Sequence, residues 1–165
     1  CPLGPACTLW RALIRCLQAA LRNPPGRWKL FVSHVQAEAK SEALRLYYEL
    51  GGKPAVWLDV MMGDPGEEAM MEGVEGSEVF LLILSESYFD RPFCVKELRR
   101  AQACGKRVVL AHLSSAKSKL SALFDKARRL DLGDIGKEAS VELLFHDPDH
   151  AEVAIKKVKR ACGLA

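Results

Sequence analysis

One carboxylate stands out because its neighbours in a predicted helix are small or apolar. Cys94, Glu97, Leu98 and Ala101 are spaced i, i+3, i+4 and i+7, so they share one face of a helix. An ionised group within such a face costs free energy unless a partner stabilises it. Glu97 therefore lies either at the edge of the face, where the macrodipole of the helix N-terminus stabilises it, or in a site that uses a carboxylate. The residues of this helix alone leave both interpretations open.

The segment before this helix predicts where the carboxylate lies. Residues 79–84 form an unbroken apolar run that is typical of a strand buried on both faces. Polar residues end this strand at Ser85, and Asp90 and Pro92 are helix-start signals. The helix that carries Glu97 therefore follows the carboxyl end of a buried strand.

The same alternation of strand and helix continues along the chain. Apolar runs predict further strands, and helical spacing predicts further helices. The strands are 28–33, 55–59, 107–111 and 141–145; the helices are 7–22, 38–50, one through Met71 and Val74, one near Leu120 and one capped by Asp149. Short apolar strands that alternate with helices are typical of a parallel sheet covered on both faces.

We predict an α/β fold with a five-stranded parallel sheet in the flavodoxin-like order 2-1-3-4-5, with helices on both faces and an extra N-terminal helix. Residues 1–27 would be that helix and a linker, and residues 28–165 the domain. In this topology a ligand crevice opens between strands 1 and 3, at the carboxyl edge of the sheet. Ser33 and His34 end the first strand, and Glu97 follows the third, so the two are predicted to meet at this crevice.

Composition argues against several classes of function. The 165 residues are 49% hydrophobic, enough for one domain, and a net charge of +3 is too small to imply a nucleic-acid or membrane partner. The six cysteines form no CxxC pair, which suits free thiols in a reducing compartment, and we expect a cytoplasmic protein. No apolar run reaches the roughly 18 residues of a membrane span. Because the chain lacks an initiator Met, we expect it to be a segment of a longer protein.

Motifs for other chemistries are absent from the sequence. It has no GxxxxGK[ST] phosphate loop, no GxGxxG after a strand and no GxSxG elbow. A phospho-receiver of the same topology would have acidic residues where this chain has Ser33 and Ser85. His146 and His150 have the spacing of a metal pair, but no third ligand is obvious, so we predict no metal site.

Three stretches resemble the Toll/interleukin receptor (TIR) domain family. They are KLFVSH at 29–34, WLDVMMGDPG at 57–66 and SEVFLLILSESYFDRPFCVKELRRA at 77–101, and the resemblance covers about residues 29–113. The most specific piece is an aromatic-Cys-x-x-Glu-Leu pattern after the third strand. The resemblance implies that the second stretch is the family's BB loop, an interface loop formed here by Asp59, Met61, Met62, Gly63, Asp64, Pro65 and Gly66.

The resemblance implies one of two functions. Many TIR domains are signalling scaffolds that self-associate through the BB loop, whereas others are NAD+ glycohydrolases that break the bond between nicotinamide and ribose. The catalytic glutamate of those enzymes stands at the position of Glu97, and scaffold-only members commonly lack it. We therefore predict an NAD+ glycohydrolase, or also a cyclase, in immune or cell-death-type signalling, with NAD+ as substrate, no cofactor, and activation by self-association. The alternative is a non-catalytic adaptor that recruits other TIR domains.

The predicted crevice and the resemblance also give candidate substrate-binding residues. They are Ser33, His34, Trp57, Ser85, Tyr88, Phe93 and Cys94. Trp57 and Phe93 have a competing interpretation as core residues. Family enzymes often carry an arginine just after strand 1, and this chain has none there, which leaves its affinity for NAD+ and the identity of its substrate open.

Overall fold

A computed structural model describes residues 27–53, 55–63, 66–137 and 139–164. The predicted helix at 7–22, and with it the predicted division after residue 27, falls outside these residues, as do Asp64 and Pro65 of the predicted BB loop. Predictions that concern those residues stay predictions.

Strands and helices alternate along the described part of the chain. The strands are β1 (Trp28–Ser33), β2 (Val56–Trp57), β3 (Ser77–Leu84), β4 (Arg107–Leu113) and β5 (Val141–Leu143). The helices are α1 (Gln36–Glu49), α2 (Glu67–Glu75), α3 (Pro92–Ala103), α4 (Leu120–Arg129) and α5 (Pro148–Cys162). Short 3-10 turns lie at Asp59–Met61, Tyr88–Asp90, Ser114–Lys119 and Ile135–Lys137.

The strands form one parallel sheet in the order β2-β1-β3-β4-β5, which confirms the predicted flavodoxin-like α/β architecture. β3 lies at the centre, and residues 79–84 of this strand are all buried because helices cover both faces of the sheet. Ser33 at the end of β1 pairs with Leu82 of β3. The carboxyl ends of these two neighbouring strands therefore meet at one edge of the sheet.

Two apolar cores lie on opposite faces of the sheet. On one face, Leu81 and Ile83 of β3 pack with α1 and α5. On the other face, Phe80, Leu82 and Leu84 of the same strand pack with α2, α3 and α4. Because successive side chains of a strand point to opposite faces, β3 contributes to both cores, and its sequence shows no alternation with polar residues.

Helix α3 begins later than one of its predicted start signals. Asp90 belongs to the preceding 3-10 turn, and Arg91 occupies the N-cap position directly before Pro92. Among the residues that the structure describes, no side chain caps this helix. The first N–H groups of α3 therefore lack the partner that a capping side chain usually provides.

The cap of α5 is Asp147, and the prediction of Asp149 was wrong by two residues. The Asp147 carboxylate accepts hydrogen bonds from the backbone N–H groups of Asp149, at 3.0 Å, and His150, at 3.2 Å. Pro148 follows at the first helical position, where its missing N–H costs nothing. The hydrogen bonds of Asp147 therefore set the start of the helix, and Asp149 lies within its first turn.

Both outermost strands are shorter than predicted. β2 ends at Trp57 rather than at residue 59, because a 3-10 turn begins at Asp59. β5 ends at Leu143 rather than at residue 145, and it pairs only with residues 111–113 of β4. The three central strands therefore carry most of the pairing.

Helix α2 packs closely against β2 at a glycine. A Cβ atom on Gly73 would lie 2.5 Å from the ring of Trp57. That ring stacks on Phe31, with ring centroids 4.5 Å apart. Because Gly73 has no side chain, α2 approaches the sheet closely enough for its first turn to flank the carboxyl edge.

Gly73→Ala should lower the free energy of unfolding by about 1–3 kcal/mol, because the added methyl group overlaps the Trp57 ring. This cost would outweigh the helix preference of alanine over glycine, which is roughly 1 kcal/mol. Urea unfolding measures the difference. Gly63→Ala is the control, since a Cβ there meets no atom within 4 Å, and equal losses in both variants would contradict the proposed contact.

Candidate active site

A cleft of about 540 Å³ opens beside the end of β1. Three segments form its walls: residues 34–37 after β1, Asp59 together with the first turn of α2, and the first half of α3. Glu97 of α3 lines it, and only 7% of this residue is exposed. The cleft lies where the topology predicts the ligand crevice.

The Glu97 carboxylate is held by a short chain of hydrogen bonds. The Ser33 hydroxyl donates to Oε2 of Glu97 at 2.6 Å. The hydroxyl oxygen of Tyr88 lies 2.6 Å from the same Ser33 oxygen. When the carboxylate is ionised, Ser33 gives it its one hydroxyl proton, so Tyr88 donates to Ser33. The 3.5 Å contact of the Tyr88 hydroxyl with the backbone carbonyl of Cys94 is the longer of its two. Burial raises the pKa of the Tyr88 hydroxyl well above its usual value, so it remains a donor.

Burial raises the pKa of Glu97 to about 7. The hydrogen bond from Ser33 favours the ionised form and opposes this rise, while the negative charge of Asp59 adds to it. Near neutral pH the carboxyl group is therefore close to half ionised. A small change in its surroundings, such as a bound cation, would complete the ionisation.

His34 faces the same cleft as a neutral imidazole. Burial lowers the pKa of His34 and outweighs the opposite effect of Asp59. Its Nδ1 lies 4.0 Å from Oδ1 of Asp59, and its buried Nε2 has no hydrogen-bond partner among the described residues.

Asp59 accepts hydrogen bonds from Nε2 of Gln36, at 2.6 Å, and from the backbone N–H of Val60, at 2.7 Å. Asp59 thus ties the start of its loop to the start of α1.

Cys94 and Phe93 occupy different depths of the cleft. The Cys94 thiol is buried and donates to the backbone carbonyl of His34 at 3.5 Å. Burial raises the pKa of this thiol to about 12, so it stays protonated and is a poor nucleophile. Phe93 is 51% exposed, and the Nζ atom of Lys96 lies 5.4 Å from its ring centroid. The Phe93 ring therefore lies at the mouth, where a ligand can contact it.

The structure does not bring all of the candidate residues to the cleft. Trp57 is buried between β1 and α2, where it stacks on Phe31, and it does not line the cleft, in agreement with its alternative interpretation as a core residue. Ser85 is buried at the end of β3 and does not line the cleft. Tyr88 is fully buried and reaches Glu97 only through Ser33. We therefore assign Tyr88 a positioning role.

Three polar residues that line the cleft were missed by the sequence analysis. Arg91 precedes α3 and lines the mouth, Gln36 lies at the start of α1, and Glu67 lies at the start of α2. No motif marks any of the three. For Arg91 the one available signal is its position directly before a helix-starting proline, which places its backbone at the end of a helix.

The described part of the loop after β2 lies on the surface. Met61 and Met62 are half-buried, Gly63 is exposed, and Gly66 lines the cleft at the N-cap position directly before α2. Flexible methionine side chains beside an exposed glycine suit an adaptable contact surface.

A sequence model of the TIR domain matches residues 30–145. The match covers more than half of the chain, and the chain therefore belongs to the TIR domain family. No curated protein sequence matches it. Within the described residues, no helix is long and apolar enough to cross a membrane, and no cluster of three or more His, Cys, Asp or Glu side chains could hold a metal ion.

Solved structures share the fold at low sequence identity. The TIR domains of the activated Roq1 resistosome, which directly recognises the pathogen effector XopQ, match with a TM-score of 0.59 and 15% identity, over 81% of this chain and 98% of that chain. A metazoan TIR-STING receptor from C. gigas, solved with 2′,3′-cGAMP, gives 0.56 and 14%, over 81% and 40%. The TIR domain of the Toll-related receptor TRR-2 from Hydra magnipapillata gives 0.52 and 11%, over 82% and 98%.

Ser33→Ala should raise the pKa of Glu97 above its value of about 7, because the ionised carboxylate loses a donor. An NMR titration of 13C-labelled glutamate side chains measures it. Ser77→Ala is the matched control, since Ser77 is equally buried but donates to the carbonyl of Gly73. If the pKa of Glu97 fell or stayed constant in Ser33→Ala, the hydrogen-bond chain would be wrong.

Glu97→Gln should stabilise the fold at alkaline pH. The folded-state pKa of about 7 lies above the ordinary value of 4.5, so between these values the folded chain binds more protons than the unfolded chain. The stability that the protonated group contributes is complete below pH 4.5 and is lost as the pH rises through about 7. We expect the variant to exceed wild type by on the order of 1–3 kcal/mol at pH 8, with no gain at pH 4.5.

Denaturant unfolding across this pH range tests the expectation. Glu152→Gln serves as the control, because the Glu152 side chain is 70% exposed and pairs with Lys156 on the surface of α5. The control should show no gain at alkaline pH, since its carboxylate is solvated. A gain in Glu97→Gln that does not depend on pH would rule out ionisation of the buried carboxyl group as its cause.

Proposed function

We propose that this TIR domain is an NAD+ glycohydrolase in which Glu97 is the catalytic carboxylate. The observation that carries the proposal is a single acid, 7% exposed and held by Ser33, that lines a cleft at the carboxyl edge of the sheet. Burial of an ionised carboxylate costs free energy, and folding does not require it. A reaction that develops positive charge can use the buried negative charge.

The chemistry matches one carboxylate. The bond between the nicotinamide nitrogen and C1′ of the ribose breaks, its electron pair leaves with nicotinamide, and the ribose becomes a cation of oxocarbenium type. An ionised Glu97 stabilises that charge most strongly in a site that excludes water. Water then adds to C1′ and loses a proton, which gives ADP-ribose. In the cyclase reaction, a nitrogen of the adenine would add in place of water.

A second acid is not required for this reaction. Nicotinamide in NAD+ is already cationic and leaves as a neutral molecule, so nothing has to protonate it, unlike the leaving oxygen of an ordinary glycoside. Two other acids line the cleft. Asp59 is engaged by Gln36 and by the backbone of its own loop, and Glu67 pairs with Lys96 at 2.9 Å. This division supports Glu97 as the reacting carboxylate and Asp59 as a structural residue.

Self-association is part of the proposal. The loop after β2 presents Met61, Met62 and Gly63 beside a cleft whose mouth exposes Phe93, and a neighbouring copy would cover both. A covered cleft excludes water, which strengthens the effect of the carboxylate. The same surface favours the alternative function, a non-catalytic adaptor that binds other TIR domains. We further propose a cytoplasmic signalling role, since the buried Cys94 and Cys162 form no disulfide among the described residues.

Release of nicotinamide from NAD+ by the concentrated, assembled protein tests the function. We expect Glu97→Gln to reduce the rate by at least about 100-fold while assembly, followed by light scattering, is unchanged. Glu152→Gln should retain the wild-type rate, because it removes an exposed charge on α5. An assembled wild-type protein that releases no nicotinamide would favour the adaptor.

The rate of release should also depend on pH. The ionised form of Glu97 is the active one, so the rate should rise with pH through about 7 and then level off. Steady-state assays at NAD+ concentrations well below KM measure this profile, because kcat/KM reports the pKa of the free enzyme. A rate that falls through this range would mean that the protonated acid is active, in conflict with the proposed role.

A further inference from the structure

The turn between β3 and α3 carries the outermost donor of the hydrogen-bond chain that ends at Glu97. Tyr88 begins the 3-10 turn, and Ser87 occupies the position directly before it. The Tyr88 hydroxyl has to stay within hydrogen-bond distance of Ser33, which in turn donates to Glu97. Apolar contacts bury the Tyr88 ring, but such contacts are not directional, whereas hydrogen bonds require a defined distance and angle. The backbone beside Tyr88 therefore needs a directional anchor.

Glu38, from the first turn of α1, is such an anchor. Its Oε2 accepts a hydrogen bond from the backbone N–H of Ser87 at 3.2 Å, and its Oε1 accepts one from the Ser87 hydroxyl. Hydrogen bonds to an ionised carboxylate are stronger than those between neutral groups. Glu38 thus holds both the backbone and the side chain of the residue that precedes Tyr88.

The surroundings of Glu38 keep its carboxylate ionised. Burial raises the pKa of Glu38, but the donors of the turn and the positive charge of Arg91 outweigh this effect, so the pKa is lowered. Arg91 directly follows the 3-10 turn and lies at the mouth of the cleft. One carboxylate on α1 therefore interacts with residues on both sides of this turn.

The contacts on the other side of the turn are weaker anchors. Lys119 pairs with Glu86, and Lys126 pairs with Asp90. Solvent reaches all four of these side chains, and exposed ion pairs contribute little to stability. Neither pair holds the backbone of the turn. Glu38 is also exposed, but one of its two hydrogen bonds comes from a backbone N–H.

We propose that Glu38 is a positioning residue for the carboxylate of the cleft. By holding Ser87, it keeps Tyr88 placed to donate to Ser33. Ser33 then keeps its own proton directed at Glu97. Glu38 does not line the cleft, so it acts on the reaction only through these residues. The proposal rests on the proposed function for the role of Glu97 in catalysis.

Substitutions of Glu38 separate positioning from a simple effect of charge. Glu38→Ala removes both acceptors, whereas Glu38→Gln removes the same charge but keeps one acceptor oxygen. Loss of a negative charge alone would lower the pKa of Glu97, and equally in both variants. Loss of positioning would weaken the hydrogen bond from Ser33 and raise this pKa, more in Glu38→Ala than in Glu38→Gln.

The 13C NMR titration of the glutamate side chains in the full chain measures this change. We expect the pKa of Glu97 to rise from about 7 in Glu38→Ala, by about 0.5 pH unit. The reading comes from the folded protein, so a general loss of stability would not move it. Glu42→Ala is the matched control, because Glu42 lies on the next turn of α1 and its carboxylate accepts from the Ser41 hydroxyl.

The route of the effect is tested in a Ser33→Ala background. Because the proposed route passes through Ser33, adding Glu38→Ala to Ser33→Ala should cause no further rise in the pKa of Glu97. In wild-type background, the midpoint of the pH profile of kcat/KM for nicotinamide release should move upward together with the pKa. At pH 7 we expect Glu38→Ala to lower kcat/KM about 2-fold and to leave the alkaline plateau unchanged.

The outcomes distinguish this proposal from the proposed function. The positioning role would be overturned by a Glu97 pKa that is unchanged or lower in Glu38→Ala, by equal changes in the Ala and Gln variants, or by a further rise in the Ser33→Ala background. Nicotinamide release by wild type is scored separately. A raised pKa in a protein that releases no nicotinamide would support the positioning of Glu97 by Glu38 and overturn the proposed activity.

Discussion

The hydrogen bond from Ser33 to Glu97 joins the end of β1 to the side of α3, and the cleft depends on it. Ser33 is available because β1 and β3 are parallel neighbours, so the helix after β3 passes the end of β1. Tyr88, from the turn between β3 and α3, completes the chain of donors. Each of the three groups comes from a different segment, so the carboxylate is fixed only in the folded domain.

This arrangement keeps the Glu97 carboxylate buried, although its burial costs free energy. The apolar core beneath the cleft, built from β3 and the helices on its face, provides the stability that offsets desolvation of the acid. The cost falls on the ionised form, which is the form that a developing cation needs. Fold stability and the proposed chemistry thus make opposite demands on Glu97, and such conflicts are typical of functional sites.

Much of the fold could be predicted from the sequence because its strongest signals are local. The apolar run of β3 and the spacing of α3 fix a buried strand and the face that carries Glu97. The predicted helix starts were less accurate. Asp90 and Asp149 are of a residue type common at helix starts, but the N-cap positions are occupied by Arg91 and Asp147.

The site was harder to predict than the fold because its members meet only through tertiary packing. The ring of Trp57 is of a type that could stack on a ligand. Because Gly73 has no side chain, however, α2 packs over this ring. Arg91 carries no motif, and only the folding of α3 beside the end of β1 brings it to the mouth of the cleft. Which side chain faces the ligand is therefore decided by contacts between distant segments.

The shortness of the outer strands affects how copies of this domain can associate. β2 has two residues and β5 has three. The part of β4 that does not pair with β5 faces a cavity that residues 132–135 also line. A fibril that grows by adding strands would find few backbone groups to template on. Contact between copies would instead use the side chains of loops and helices.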